Sequence, residues 1–226
     1  GTNSLDANTT GTRNTAVGQD TLGANTTGGD NVAIGNSALE LNTTASNNVA
    51  IGRVALGVNT TGANNVALGA SAGAAVTTGS GNIAIGMNAL DALTTVSNTL
   101  AIGKEALTAN TSGTSNVGIG HQALGANTSG GENTAVGYGA LDANVGASGS
   151  TAVGFIALSA STGANNTAVG YYAGSSVTSG ANNILIGRDA GITGSPGGAI
   201  TTGSNEIVLG DENITESHIQ VDWTIA

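Results

Sequence analysis

The sequence predicts an all-β protein, a parallel β-solenoid or β-roll wound from 17-residue repeats. Three observations predict it. The pentad Asn-x-Ala-x-Gly recurs at a fixed interval, the residues inside it alternate with period two, and the composition excludes a wide core. Its glycine falls at Gly18, Gly35, Gly52, Gly69, Gly86, Gly103, Gly120, Gly137 and Gly154, always 17 residues apart. Gly170, Gly187 and Gly210 continue the series at intervals of 16, 17 and 23. With one Phe, one Trp and three Tyr among 226 residues, large rings cannot fill an interior, so the core is thin and built from Val, Ile, Leu and Ala.

Each repeat opens with a strand. A large aliphatic precedes every repeat glycine, from Val17 and Ile34 to Ile186 and Leu209, and Val, Ile or Thr usually stands two residues earlier, with Ala between them. This alternation marks a short strand with one aliphatic face and one close-packed small face. Four residues after the glycine comes a second apolar anchor, Leu22, Leu39, Leu56, Leu90, Leu107, Leu124, Leu141 or Leu158. Gly73 and Gly174 replace it in two repeats, and Val76 and Val177 then appear three residues later, a swap that moves apolar volume along the coil. A polar stretch such as Asn25-Thr26-Thr27-Gly28 turns the chain back, with Asn and Gly suited to positive φ.

A 17-residue coil is too short for a βαβ unit, so successive coils stack as parallel, in-register strands at about 4.8 Å, giving a rod of roughly 60 Å. Equal residues then form ladders. The Asn four residues before each glycine, Asn14, Asn31, Asn48 and their successors, is placed to hydrogen-bond up and down the stack. Residues 1–190 form the repeat rod, and 191–226 an irregular loop around Pro196 followed by a terminal strand element at Asn205–Gly210 and a tail holding Trp223.

Charge and composition limit function. Fourteen acids against four bases give a net charge of −10, which repels nucleic acid and anionic membrane surfaces. No apolar run approaches the roughly 20 residues of a membrane helix, so no membrane insertion is expected. Without Cys there are neither disulfides nor thiolate metal sites. His121 and His218 have neither metal nor triad spacing and read as solvent-exposed. Glu40, Asp91 and Asp142 share a phase but stand three coils apart, about 14 Å, beyond the ~5–9.5 Å of a glycosidase pair. No catalytic residue, metal or cofactor is expected, and the chain is read as structural and adhesive rather than enzymatic.

The candidate binding residues come from the scarcity of rings. Tyr138, Phe155 and Tyr171 each follow a repeat glycine on three consecutive coils, Tyr172 is adjacent, and Arg188 takes the same phase on the next coil. Such a ladder suits either stacking against sugar faces or stiffening of the rod. The repeat also stops being interchangeable here, so any selective surface is expected in the C-terminal third. Sharing the Ala-lined or aliphatic face of a coil across a threefold axis would bury more apolar area per coil than a single chain can, and the residues alone fit such a homotrimer or a monomeric triangular solenoid.

The pentads Asn-Thr-Ala-Val-Gly and Asn-Val-Ala-Ile-Gly resemble the head repeats of trimeric autotransporter adhesins and repeats of bacteriophage tail fibres. The tail, with Gly210, Ile214-Thr215, Trp223 and an end at Ala226, is similar to the segment preceding an endosialidase-type intramolecular chaperone that trims itself from phage fibres. The resemblance implies an intertwined or side-by-side homotrimer in the virion's tail fibre. It also implies attachment to a host cell-surface receptor, by expectation a carbohydrate. The alternative is the head of a trimeric adhesin on a bacterial cell surface. A full precursor would discriminate, through a downstream chaperone or a stalk and membrane anchor.

Overall fold

A computed structural model describes residues 1–195, 198–211 and 213–215. Twelve three-residue strands, β1 (Thr15–Val17), β2 (Val32–Ile34), β3 (Val49–Ile51), β4 (Val66–Leu68), β5 (Ile83–Ile85), β6 (Leu100–Ile102), β7 (Val117–Ile119), β8 (Thr134–Val136), β9 (Thr151–Val153), β10 (Thr167–Val169), β11 (Ile184–Ile186) and β12 (Ile207–Leu209), form one sheet in chain order. Every neighbouring pair is parallel and in register, Ala33 opposite Ala50 and Ala50 opposite Ala67. The chain is a parallel β-solenoid with no helix among its described residues.

Hydrogen bonding between coils extends well beyond the three strand residues. Ser37 N–H donates to Gln19 C=O (2.9 Å), Leu39 N–H to Ala55 C=O (3.0 Å) and Thr43 N–H to Thr60 C=O (3.1 Å), so most of the perimeter is laddered. This satisfies backbone groups that a loop-rich coil would otherwise leave unpaired.

Alternation within the strand is resolved by size. The central Ala points inward and is fully buried in β2, β3 and β4, whereas Val17, Ile34, Ile51, Val153, Val169 and Ile186 remain 37–57% exposed. The sequence reading that put Val and Ile in the core beside Leu and Ala is thus corrected for the strand aliphatics. From β2 to β10 the interior consists mainly of two Ala columns, the Leu anchors and Asn side chains, with Val76, Leu93 and Val177 standing in for Asn, whereas in β11 and β12 the inward strand residues are Leu185 and Val208.

The Leu anchors sit in an unusual backbone conformation. Leu39, Leu56, Leu107 and Leu124 have φ of 50°, 48°, 51° and 55°, a left-handed region costing an L-residue about 1–2 kcal/mol. Full burial of each side chain, worth about 1.5–3 kcal/mol, offsets that cost. The Gly73/Val76 and Gly174/Val177 swaps follow from this geometry. Gly73 (φ 58°) and Gly174 (φ 65°) take the left-handed position without a side chain, and Val76 and Val177 fill the vacated interior from the polar column.

Two buried Asn columns meet on one carbonyl per coil. Asn14 Nδ2 and Asn25 Nδ2 both donate to Gly28 C=O (2.8 and 3.0 Å), and Asn48 Nδ2 and Asn59 Nδ2 both donate to Gly62 C=O (2.9 Å each). In the first column Oδ1 mostly accepts the next coil's backbone N–H, as Asn31 Oδ1 does from Asn48 at 3.0 Å. Amide-to-amide bonding belongs mainly to the second column, where Asn42 Nδ2 donates to Asn25 Oδ1 at 2.8 Å. Where Val76 interrupts that column, Asn59 Oδ1 is left without a partner.

Both irregular intervals are absorbed in turns. The 16-residue interval has lost one residue between Ser161 and Asn166, and Thr151 still pairs with Thr167. The 23-residue interval places six extra residues between Gly191 and Ile200, and Ile200 N–H closes the loop on Gly191 C=O at 3.0 Å. Ile200 then occupies the interior site that Val177 fills one coil below, 5% exposed, and β12 pairs with β11 in register.

Candidate binding surface

The ring column owes its position to the repeat glycine. Gly137 and Gly154 have φ of 136° and 142°, turning the chain out of the strand so that the next side chain projects from the corner of the coil. Because coils repeat in register, that residue lands directly above its counterpart. Tyr138 and Phe155 stack with centroids 5.1 Å apart and planes 16° from parallel, and Phe155 and Tyr171 at 5.3 Å and 12°. Tyr172 meets Tyr171 edge-on at 4.6 Å and tilts against Phe155 at 5.6 Å. Arg188 closes the upper end, its guanidinium 5.7 Å from the Tyr171 centroid.

The column extends one residue further than the sequence reading placed it. His121 stacks on Tyr138 at 5.2 Å and 27°. It stands one period before Tyr138, and this phase in the repeat, rather than residue type, places it in the stack. His121 Nε2 lies 3.8 Å from Glu105, whose carboxylate also accepts from Gln122 Nε2 (3.2 Å) and meets Lys104 Nζ (3.3 Å). His121 Nδ1 is buried without a partner.

The stack governs what the surface offers. Inner rings turn their faces to one another, so Tyr138, Phe155 and Tyr171, 46%, 39% and 49% exposed, present mainly their edges outward. Each offset-stacked pair contributes about 0.5–1.5 kcal/mol. His218, Pro196 and Trp223 lie outside the described residues.

Beside the rings the carboxylates differ in their surroundings. Burial pushes the Asp91 carboxyl above its ordinary range, and likewise Asp142, where His121 partly opposes the shift. A carboxyl whose folded pKa is raised stabilises the fold as pH falls through that pKa, and the contribution is lost as pH rises. Asp91→Asn and Asp142→Asn are therefore each expected to raise the melting temperature at pH 7, with the advantage gone near pH 3. Calorimetry at the two pH values checks this, and an equal effect at both would refute it.

The chain is, by fold, a parallel β-solenoid repeat protein carrying one stacked aromatic column. Comparison with protein-family models, with curated proteins and with solved structures found no match.

Proposed function

We propose that this chain is a structural and receptor-binding segment of a homotrimeric phage tail fibre, attaching the virion to a carbohydrate on the host cell. The reading is non-enzymatic and assigns contact to Tyr138, Phe155, Tyr171, Tyr172 and Arg188. The observation that carries it is the outward aliphatic strip. Two columns of mostly Val, Ile and Leu run along all twelve strands. Their exposed area is on the order of 1,000 Å², above the ~300–600 Å² of the largest patch on a typical monomer. Association along this strip shields it and produces a long, stiff rod, and the pentads' resemblance to trimeric fibres supplies the number three. The aromatic column lies on a different corner of the coil and in the C-terminal half of the chain, where a rod that attaches by one end requires its differentiated surface.

The test joins mass to attachment. Light scattering is expected to give three times the chain mass of 21.5 kDa. The triple variant Tyr138→Ser, Phe155→Ser, Tyr171→Ser is expected to keep that mass and the β content while losing attachment of the labelled protein to bacterial cells. Avidity multiplies a loss of about 1 kcal/mol per ring across three chains, so attachment should fall at least tenfold. A monodisperse monomer would remove the trimer, and undiminished attachment would make the column a purely structural stack.

A further inference from the structure

The 23-residue interval does more than lengthen a turn. The regular coils carry only shallow, more open grooves, such as those beside Ile83 and Leu100 and beside Asp20 and Glu40. The longer interval brings residues 192–195 beside Asp211 and Asn213, which follow β12. Between them lies a cleft of about 210 Å³ lined by Arg188, Asp189, Thr193, Ser195, Asp211 and Asn213. At ~30 Å³ per water it has room for about seven waters, the size of one pyranose ring.

Its polar groups are fixed and of both kinds. Arg188 Nε donates to Asp189 Oδ2 (3.0 Å), which orients the guanidinium and leaves its terminal NH₂ groups as donors. Asp211 is clamped by Asn213, whose backbone N–H reaches Oδ1 at 2.9 Å and whose side-chain amide reaches Oδ2 at 3.1 Å. Asn213 and Arg188 both hold the Asp211 carboxyl below its ordinary range, so it is an anionic acceptor at neutral pH. Ser195 Oγ donates to Asp189 C=O at 2.9 Å and accepts from Ile192 N–H at 3.2 Å, bonds within the loop's own coil.

We propose that this cleft binds the ring of a neutral sugar through a vicinal pair of hydroxyls. Each sugar hydroxyl both donates and accepts, so a carboxylate beside guanidinium donors matches a vicinal diol with charge-assisted bonds in both directions. Two carboxylates against one guanidinium leave the lining net negative, which disfavours carboxylated or phosphorylated sugars. The position also fits. Arg188 both lines the cleft and covers the last ring of the column, so a bound sugar continues the surface assigned to receptor contact, and the inference rests on that assignment.

Saturation-transfer NMR on the purified protein tests it, with D-galactose, D-glucose, D-mannose and N-acetylneuraminic acid as probes. Transfer to at least one neutral hexose is expected, at least tenfold weaker in Asp211→Ala and unchanged in Arg53→Ala, an exposed residue on a distant coil. Since Asp211 follows β12 closely, Asn213→Ala and Thr193→Val serve as independent variants, each expected to weaken transfer with unchanged melting. Absence of transfer from every neutral hexose, transfer that survives all three cleft variants, or preference for N-acetylneuraminic acid would each overturn the proposal. Failure here with attachment still lost in the triple ring variant removes the cleft alone. Sugar binding that persists while the ring variant attaches normally removes the ring assignment instead.

Discussion

Leu124→Gly is expected to lower the melting temperature by about 10 °C, and adding Asn127→Val to restore at least half of the loss. The first change empties a fully buried site. Removing a buried Leu side chain costs about 3–5 kcal/mol, and release of the left-handed strain at φ 55° returns about 1 kcal/mol. At roughly 2–4 °C per kcal/mol for a chain of this size, the net effect is near 10 °C. The second change copies the arrangement found at Gly73/Val76 and Gly174/Val177, where an interior Val replaces the anchor.

Position 127 suits the exchange because little hydrogen bonding is lost with it. Asn127 Oδ1 already lacks a partner, Gly130 C=O keeps its bond from Asn116 Nδ2 at 2.7 Å, and Asn110 Oδ1 keeps its bond from Gly113 N–H at 2.9 Å. Thermal unfolding of both single variants and the double variant forms a complete cycle. If the double variant is no more stable than Leu124→Gly, apolar volume is not exchangeable between the two columns, and the account of the Gly/Val coils fails.

Gly35→Ala is expected to cost at least about 3 kcal/mol, while Gly23→Ala stays within about 1 kcal/mol of the parent. A Cβ on Gly35 would stand 2.6 Å from Gly52 oxygen and 2.7 Å from Gly52 carbon, and φ is 130°. The obstruction is backbone of the next coil, which cannot rotate away as a side chain would, so the stack must open. At Gly23 the nearest atom is Asn3 oxygen at 3.3 Å and φ is unexceptional. Chemical denaturation of the two variants measures the contrast, and near-equal stabilities would show that coil spacing is softer than the close approach implies.

Much of this fold was legible in the sequence because a solenoid converts sequence period directly into spatial neighbourhood. Once residues 17 apart are stacked, Ala33 must meet Ala50, Tyr138 must meet Phe155, and the register of every strand follows. The same rule located His121 beneath Tyr138, though chemistry-by-type reading passed over it. It also carried the strand phase through the shortened turn before Asn166, because a turn can lose a residue without changing which residues pair.

What the sequence determined by itself was the parallel stack, its phase, the ring column and the compensating Gly/Val coils. Only the tertiary structure decided which face of each strand turns inward. Alternating Ala and Ile are both apolar, so hydrophobicity cannot choose between them, and the choice falls to the circumference of the coil. The regular coil fills its interior with Ala, one Leu and paired Asn amides, and the alternating Val and Ile turn outward, whereas in the coil of β11, with Gly191 at the anchor position, the large Leu185 turns inward. The cleft at Arg188 and Asp211 was beyond sequence reading for a related reason. It forms between residues of the lengthened interval and a later segment, outside the periodic stacking that made the rest of the chain readable.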